Sequence, residues 1–134
     1  MEPVKIVMRY ADGKIVKGFT GDFAPNKAVF HVSTVESGVV SDKVIEISVK
    51  ELKAIFFVKD FSGDPSYDES KQFSGTQPPG RKVEVTFSDG EVMVGSTAGY
   101  DRNRPGFFIQ PADSASNNLR VYAVSSAVKN VRFL

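Results

Sequence analysis

The stretch "KIVMRYADGKIVKGFTGDFAPNKAVFHV", residues 5–32, recurs in altered form as "KVEVTFSDGEVMVGSTAGYDRNRPGFFI", residues 82–109. A shift of 77 residues places Asp12-Gly13 on Asp89-Gly90 and Gly18 on Gly95. With a shift one residue shorter, "LKAIFFV" at 52–58 aligns with "VKNVRFL" at 128–134. Self-similarity at a fixed spacing is typical of a repeated structural unit. The sequence therefore predicts two copies of one fold.

Each copy begins with a segment that has the periodicity of a β-strand. Apolar or aromatic residues occupy every second position, at Ile6, Met8 and Tyr10 and at Val83, Val85 and Phe87. This alternation is typical of a strand with one buried face. Asp-Gly follows in both copies, and this pair supplies the positive φ that tight hairpin turns require. We therefore expect a β-hairpin at the start of each copy.

Three further strands are expected in each copy. Gly18 and Gly95 interrupt the second strand, where a missing Cβ permits a bulge or bend that curls a sheet. Third strands are predicted at 28–32 and 106–109, and fourth strands at 44–47 and 119–124. The serines of "SVKEL" (48–52) and "SSAV" (125–128) favour a single 3₁₀ turn before the fifth strand.

This order of strands resembles the SH3-like and Sm-like small barrels, and the "DGxxxxG" of residues 12–18 and 89–95 is similar to the opening hairpin of Sm-like chains. The resemblance implies an all-β fold of two tandem five-stranded small barrels packed together. Residues 1–58 and 81–134 are the predicted barrels, and 59–80 the predicted linker. An N-terminal helix and a clear Sm-type RNA-contacting loop are both missing. The whole chain also resembles an uncharacterised bacterial domain family without known activity.

Composition restricts the classes of function. The content of 41% hydrophobic and 25% charged residues predicts a packed globular core. A net charge of +1 provides no overall field to attract nucleic acid or a membrane, so any anion site has to be local. The chain has no cysteine, and its N-terminus lacks the apolar core of a signal peptide. These features predict a cytoplasmic protein that does not associate with membranes.

The turn "GYDRNRPGFF", residues 99–108, is the candidate ligand site. The repeat aligns it with "GDFAPNKAVF", and Asn26 and Asn103 share one position, which favours a structural turn. The second copy adds two arginines beside a tyrosine, a combination able to hold a phosphate, a carboxylate or a stacked base. The candidate ligand-binding residues are Tyr100, Arg102 and Arg104.

We expect no catalytic residue, metal or cofactor. His31 is the only histidine, and strand alternation from Phe30 predicts that it lies on the less buried face. One histidine without cysteine cannot form a nucleophile triad or a histidine-based metal site within one chain. Asp60, Asp64 and Asp68 recur at every fourth residue, whereas a calcium loop needs ligands at alternate positions.

The leading hypothesis is a non-catalytic interaction module that binds another protein through its edge strands. A homo-oligomer, in which the partner is a second copy of the chain, is one possibility within this hypothesis. The alternative is a nucleic-acid or nucleotide-binding module of Sm-like type that uses the Arg102 to Arg104 turn, with Arg81, Lys82 and Arg120 as further basic residues. A basic face around the turn would favour the alternative, and scattered arginines would favour the interaction module.

Overall fold

The computed structural model describes residues 4–36, 39–61, 80–113 and 116–134. Five strands form the first half: β1 (Val4–Tyr10), β2 (Ile15–Thr20), β3 (Val29–Glu36), β4 (Val39–Ser48) and β5 (Leu52–Val58). Five form the second: β6 (Arg81–Phe87), β7 (Val92–Thr97), β8 (Gly106–Pro111), β9 (Asn118–Val124) and β10 (Val128–Phe133). A 3₁₀ turn precedes the last strand of each half, at Val49–Glu51 and Ser125–Ala127. The five-strand pattern and both 3₁₀ turns are confirmed, and β3 and β4 extend beyond the predicted segments.

Equivalent strands pair in the same register in both halves. In the first hairpins, Ile6 lies opposite Gly18 and Val83 opposite Gly95. Each last strand pairs antiparallel with the first strand of its own half. Both hairpins turn through a glycine with positive φ, Gly13 at 97° and Gly90 at 95°. Because the pairing repeats residue by residue, the internal repeat read from the sequence is a property of the fold.

The two halves join into one open antiparallel sheet. Its strand order is β10-β6-β7-β8-β9-β5-β1-β2-β3-β4. The junction is the pairing of β5 with β9, in which Phe56 lies opposite Val121. The all-β class is thereby established, with β4 and β10 at the two edges of the described sheet. The assignment of each half to the SH3-like or Sm-like barrels stays a prediction.

Two hydrophobic cores lie on opposite faces of the central strands β5 and β9. All seven residues of β5 are buried. Ile55 and Phe57 belong to the first core, whereas Ala54, Phe56 and Val58 belong to the second. On β9, Tyr122 and Val124 pack in the first core, and Val121 and Ala123 in the second. Since side chains alternate across a strand, one strand from each half serves both cores.

Gly18 and Gly95 act through close packing of strands. A Cβ at Gly18 would lie within 3.0 Å of the Ser33 carbonyl oxygen, and one at Gly95 within 3.0 Å of the Gln110 carbonyl oxygen. Neither glycine has a positive φ, and the β1–β2 and β6–β7 registers run through them without a shift. Of the bulge or bend predicted at these positions, the bulge is wrong, and the glycines let β2 and β7 approach the next strand closely.

The start of the predicted linker packs against both halves. The Phe61 ring meets the Phe19 ring edge-on, with centroids 5.3 Å apart. The Asn117 side chain exchanges two hydrogen bonds with the Asp60 backbone, at 2.8 and 3.0 Å. Residues 62–79, and with them Asp64 and Asp68, lie outside the described residues. Within the described ranges, no helix is long and apolar enough to cross a membrane.

Candidate functional surfaces

The arginine turn is a structural turn shared by the two halves. The Arg104 N–H donates to the Asp101 carbonyl oxygen at 3.0 Å, as the Lys27 N–H does to the Ala24 carbonyl oxygen at 3.0 Å. In the second half the Asp101 carboxylate also accepts the Asn103 N–H at 2.9 Å. Backbone bonds at matched positions show that the turn forms with or without arginines, so its shape is not evidence of a ligand.

The three candidate ligand-binding residues do not converge on one site. The half-buried Tyr100 ring packs edge-on against Phe107, with centroids 4.8 Å apart. Arg102 and Arg104 are both exposed, but Arg102 lines a cleft beside Tyr100 and β10, while Arg104 lines a different cleft between the two halves. Tyr100 and Arg102 thus share one cleft, and Arg104 lines another.

Two further arginines of the nucleic-acid hypothesis stack on aromatic rings. The Arg120 guanidinium carbon lies 4.4 Å from the ring centroids of both Phe57 and Phe108. Burial lowers the pKa of Arg120 from its usual value. The Arg81 guanidinium carbon lies 4.0 Å from the Phe133 centroid. Cation–π contacts of this kind stabilise the fold and occupy the faces of the guanidinium groups.

His31 stabilises the connection between β2 and β3 through hydrogen bonds. Asp22 Oδ1 accepts the His31 backbone N–H at 2.9 Å, and Asp22 Oδ2 lies 2.8 Å from His31 Nδ1. The Thr20 hydroxyl donates to the His31 carbonyl oxygen at 2.9 Å. These bonds from the His31 backbone and ring lower the pKa of Asp22 to about 2. The histidine is exposed, as the strand alternation predicted. Its hydrogen bonds to Thr20 and Asp22 stabilise the β2–β3 connection.

A buried lysine that the sequence reading missed links the halves. Lys53, 6% exposed on β5, forms ion pairs with Asp89 at 2.6 Å and with Glu91 in the β6–β7 hairpin. Its ammonium group also lies 4.9 Å from the Phe87 ring centroid. The hydrogen bond from Lys53 holds the pKa of the Asp89 carboxyl below its usual range. Lys53 is the only charged residue in the apolar run "LKAIFFV" (52–58), and this could have indicated a buried charge that needs a partner.

The two edges of the sheet carry exposed apolar side chains. On β4 these are Val39, Val40 and Val44, with exposed fractions of 68%, 54% and 61%. At the opposite edge, Phe133 and Leu134 are 37% and 59% exposed. Edge strands have unpaired backbone groups, which natural sheets usually protect with charge, proline or short length. β4 is ten residues long, so this edge is a candidate interaction surface.

These observations define an all-β protein whose described surfaces include two open sheet edges and clefts between its halves. In the described ranges, no group of three or more His, Asp or Glu residues is placed to hold a metal ion. The model of the DUF6982 family, a family of unknown function, matches residues 2–134, and the chain belongs to this family. In comparisons with curated proteins and with solved structures, nothing matches this chain.

Proposed function

We propose that this chain is a non-catalytic protein-interaction module that binds an extended strand along the edge of β4. The observation that carries the proposal is the length of this edge together with its exposed Val39, Val40 and Val44. In β-strand addition, backbone hydrogen bonds supply affinity and alternate side chains supply specificity. A partner strand with apolar residues at alternate positions would cover these valines.

A second copy of the chain is the partner with the strongest support. The junction inside the chain pairs a fifth strand, β5, with a fourth strand, β9. The other fifth and fourth strands of the repeat, β10 and β4, remain at the two edges. Copies joined from β10 of one to β4 of the next would therefore reproduce a pairing that the fold already contains.

The repeat also predicts the register between copies. Phe57 lies opposite Arg120 in the junction, and a shift of 76 residues places Phe133 in the position of Phe57. The β3–β4 and β8–β9 pairings align β4 with β9 at the same shift, which places Val44 in the position of Arg120. Phe133 of one copy should thus lie opposite Val44 of the next. Both side chains are exposed, and their pairing would remove apolar surface from water.

The nucleic-acid alternative has weaker support. Arg102 and Arg104 line different clefts, and the Tyr100 ring is engaged with Phe107. Arg81 and Arg120 stack on rings within the chain. Scattered arginines favour the interaction module.

A chain without cysteine is also compatible with the proposed location in a reducing cytoplasm.

Cross-linking through introduced cysteines tests the proposed pairing, because the natural chain has none. In the double variant Val44→Cys/Phe133→Cys, oxidation should produce a ladder of disulfide-linked oligomers, since directly opposed residues have Cβ atoms about 5 Å apart. The matched control Ile15→Cys/Phe133→Cys places the first cysteine on another exposed apolar residue, at 52% exposure against 61% for Val44, on β2, a strand paired on both sides.

Sedimentation analysis of the unmodified chain completes the test. Self-association should increase with concentration and should be weakened in Val44→Lys but unchanged in Ile15→Lys. A chain that stays monomeric at millimolar concentration, or equal cross-linking in both cysteine pairs, would contradict a second copy as the partner. Binding of a foreign apolar strand peptide that Val44→Lys abolishes would still support the edge as the working surface.

A further inference from the structure

A cleft of about 610 Å³ lies between the halves, at the end of β4 where Ser48 leads into the first 3₁₀ turn. Its walls are equivalent segments of the repeat: the connections before β3 and β8, and the two 3₁₀ turns. Matched backbone bonds hold these walls, with the Val49 N–H donating to Ala28 at 3.0 Å and the Ser125 N–H donating to Pro105 at 2.8 Å. The volume lies in the range of sites that bind small molecules.

The floor of the cleft is apolar. Val49 and Val124 are 3% and 2% exposed and belong to the first hydrophobic core, so their positions are held by packing. Ala28 and Pro105 add apolar surface above them. A ligand with an apolar body would suit this lining.

Of the described residues that line the cleft, every ionisable one is a base. Lys27 and Lys50 come from the first half, and Arg104 comes from the second. Lys27 Nζ lies 3.6 Å from the Asp22 carboxylate and donates to the Asp22 carbonyl oxygen at 3.0 Å. The Arg104 Nε atom lies 4.0 Å from the Asp101 carboxylate, which is a long ion pair. Among the residues described, Lys50 forms no ion pair. Three cations on an apolar floor select for a negatively charged group.

We propose that this cleft binds a small organic anion that has an apolar body, of the size of a medium-chain or aromatic carboxylate. The apolar body would rest on Val49, Val124 and Pro105, and the anionic group would face Lys50 and Arg104. Binding would hold the two halves across their junction, because residues of both halves contact the ligand. This ligand is separate from the strand partner, so either proposal can fail without the other.

The test uses octanoate as the probe, followed through backbone amide shifts of the full chain by NMR. Octanoate should produce saturable shifts centred on Val49 and Ser125. Octan-1-ol has a similar apolar body without the charge, and acetate has the charge without the apolar body. Each should bind at least about tenfold more weakly than octanoate. Equal binding of octanoate and octan-1-ol would overturn the assignment of an anion site.

Matched variants locate the site. Lys50→Gln/Arg104→Gln should weaken octanoate binding by about tenfold, because two exposed cations are lost. Arg102→Gln removes a cation from the same turn but from another cleft, and should leave the affinity unchanged. Ala28→Trp, at an exposed position, should block binding while thermal stability is retained. Absence of saturable shifts at millimolar octanoate, or unchanged binding in both the double variant and Ala28→Trp, would overturn the proposal.

Discussion

Lys53 Nζ lies 2.6 Å from Asp89 Oδ2 and joins the last strand of the first half to the first hairpin of the second. The lysine side chain is 7% exposed, whereas the aspartate and its neighbour Glu91 are 55% and 43% exposed. The two carboxylates therefore retain much of their hydration. The ammonium group has lost most of its hydration and depends on the carboxylates to stabilise its charge. This asymmetry between the partners predicts which substitutions are costly.

Loss of both carboxylates should destabilise the fold more than loss of the lysine. Asp89→Asn/Glu91→Gln leaves a buried ammonium group unpaired and should cost about 1–3 kcal/mol, a value reduced from fully buried pairs because the acids are half exposed. Lys53→Met keeps the volume of the side chain and should cost less. Denaturant unfolding measures both. Asp12→Asn, the equivalent change in the first hairpin, is the control and should cost under about 0.5 kcal/mol. A larger loss in Lys53→Met would contradict the argument.

Asp22 should make the stability of the fold sensitive to acid. Its pKa is about 2 in the folded chain, against the ordinary aspartate value of 3.8, because the backbone and ring of His31 donate to it. The stabilising contribution is therefore complete above pH 3.8 and is lost as the pH falls toward about 2. Asp22→Asn should remove this part of the pH dependence. Unfolding free energies from pH 6 to about pH 2 check it, and parallel curves for the two proteins would contradict it.

Alanine at Gly18 or Gly95 should destabilise the sheet. A Cβ at either position would press on a backbone carbonyl of the neighbouring strand, so the strands would have to separate. Overpacking of this kind costs about 1–3 kcal/mol. Gly21→Ala and Gly99→Ala are matched controls, since a Cβ there meets nothing within 4 Å. Thermal unfolding of the four variants tests the prediction, which fails if the two pairs lose equal stability.

The second half should not fold alone. A fragment of residues 81–134 lacks Ala54, Phe56 and Val58, which belong to the second core. A unit of this size buries only about 60% of its unfolded surface and is marginal even when complete. The fragment should give a poorly dispersed NMR spectrum and no cooperative unfolding transition. A fragment as stable as the full chain would show that β5 is dispensable for the second half.

The candidate site was only partly accessible from the sequence. Alignment of the repeat correctly indicated that residues 101–104 form a turn, because the same backbone bond occurs at 24–27. It could not show that Arg102 and Arg104 line different clefts, because the walls of each cleft come from segments distant in the sequence. The Lys53 pairing was also missed, because its partners lie 36 and 38 residues away in the other half.

The sequence by itself determined the repeat, the positions of the strands, both Asp-Gly hairpins and the two 3₁₀ turns. These features depend on local periodicity and on turn residues, which act over a few positions of the chain. Only the tertiary structure decided that β5 pairs with β9, that the two cores share these strands, and that β4 and β10 remain at the edges. Backbone hydrogen bonds between strands are the same for any partner, so side-chain alternation cannot indicate which strand will be the neighbour.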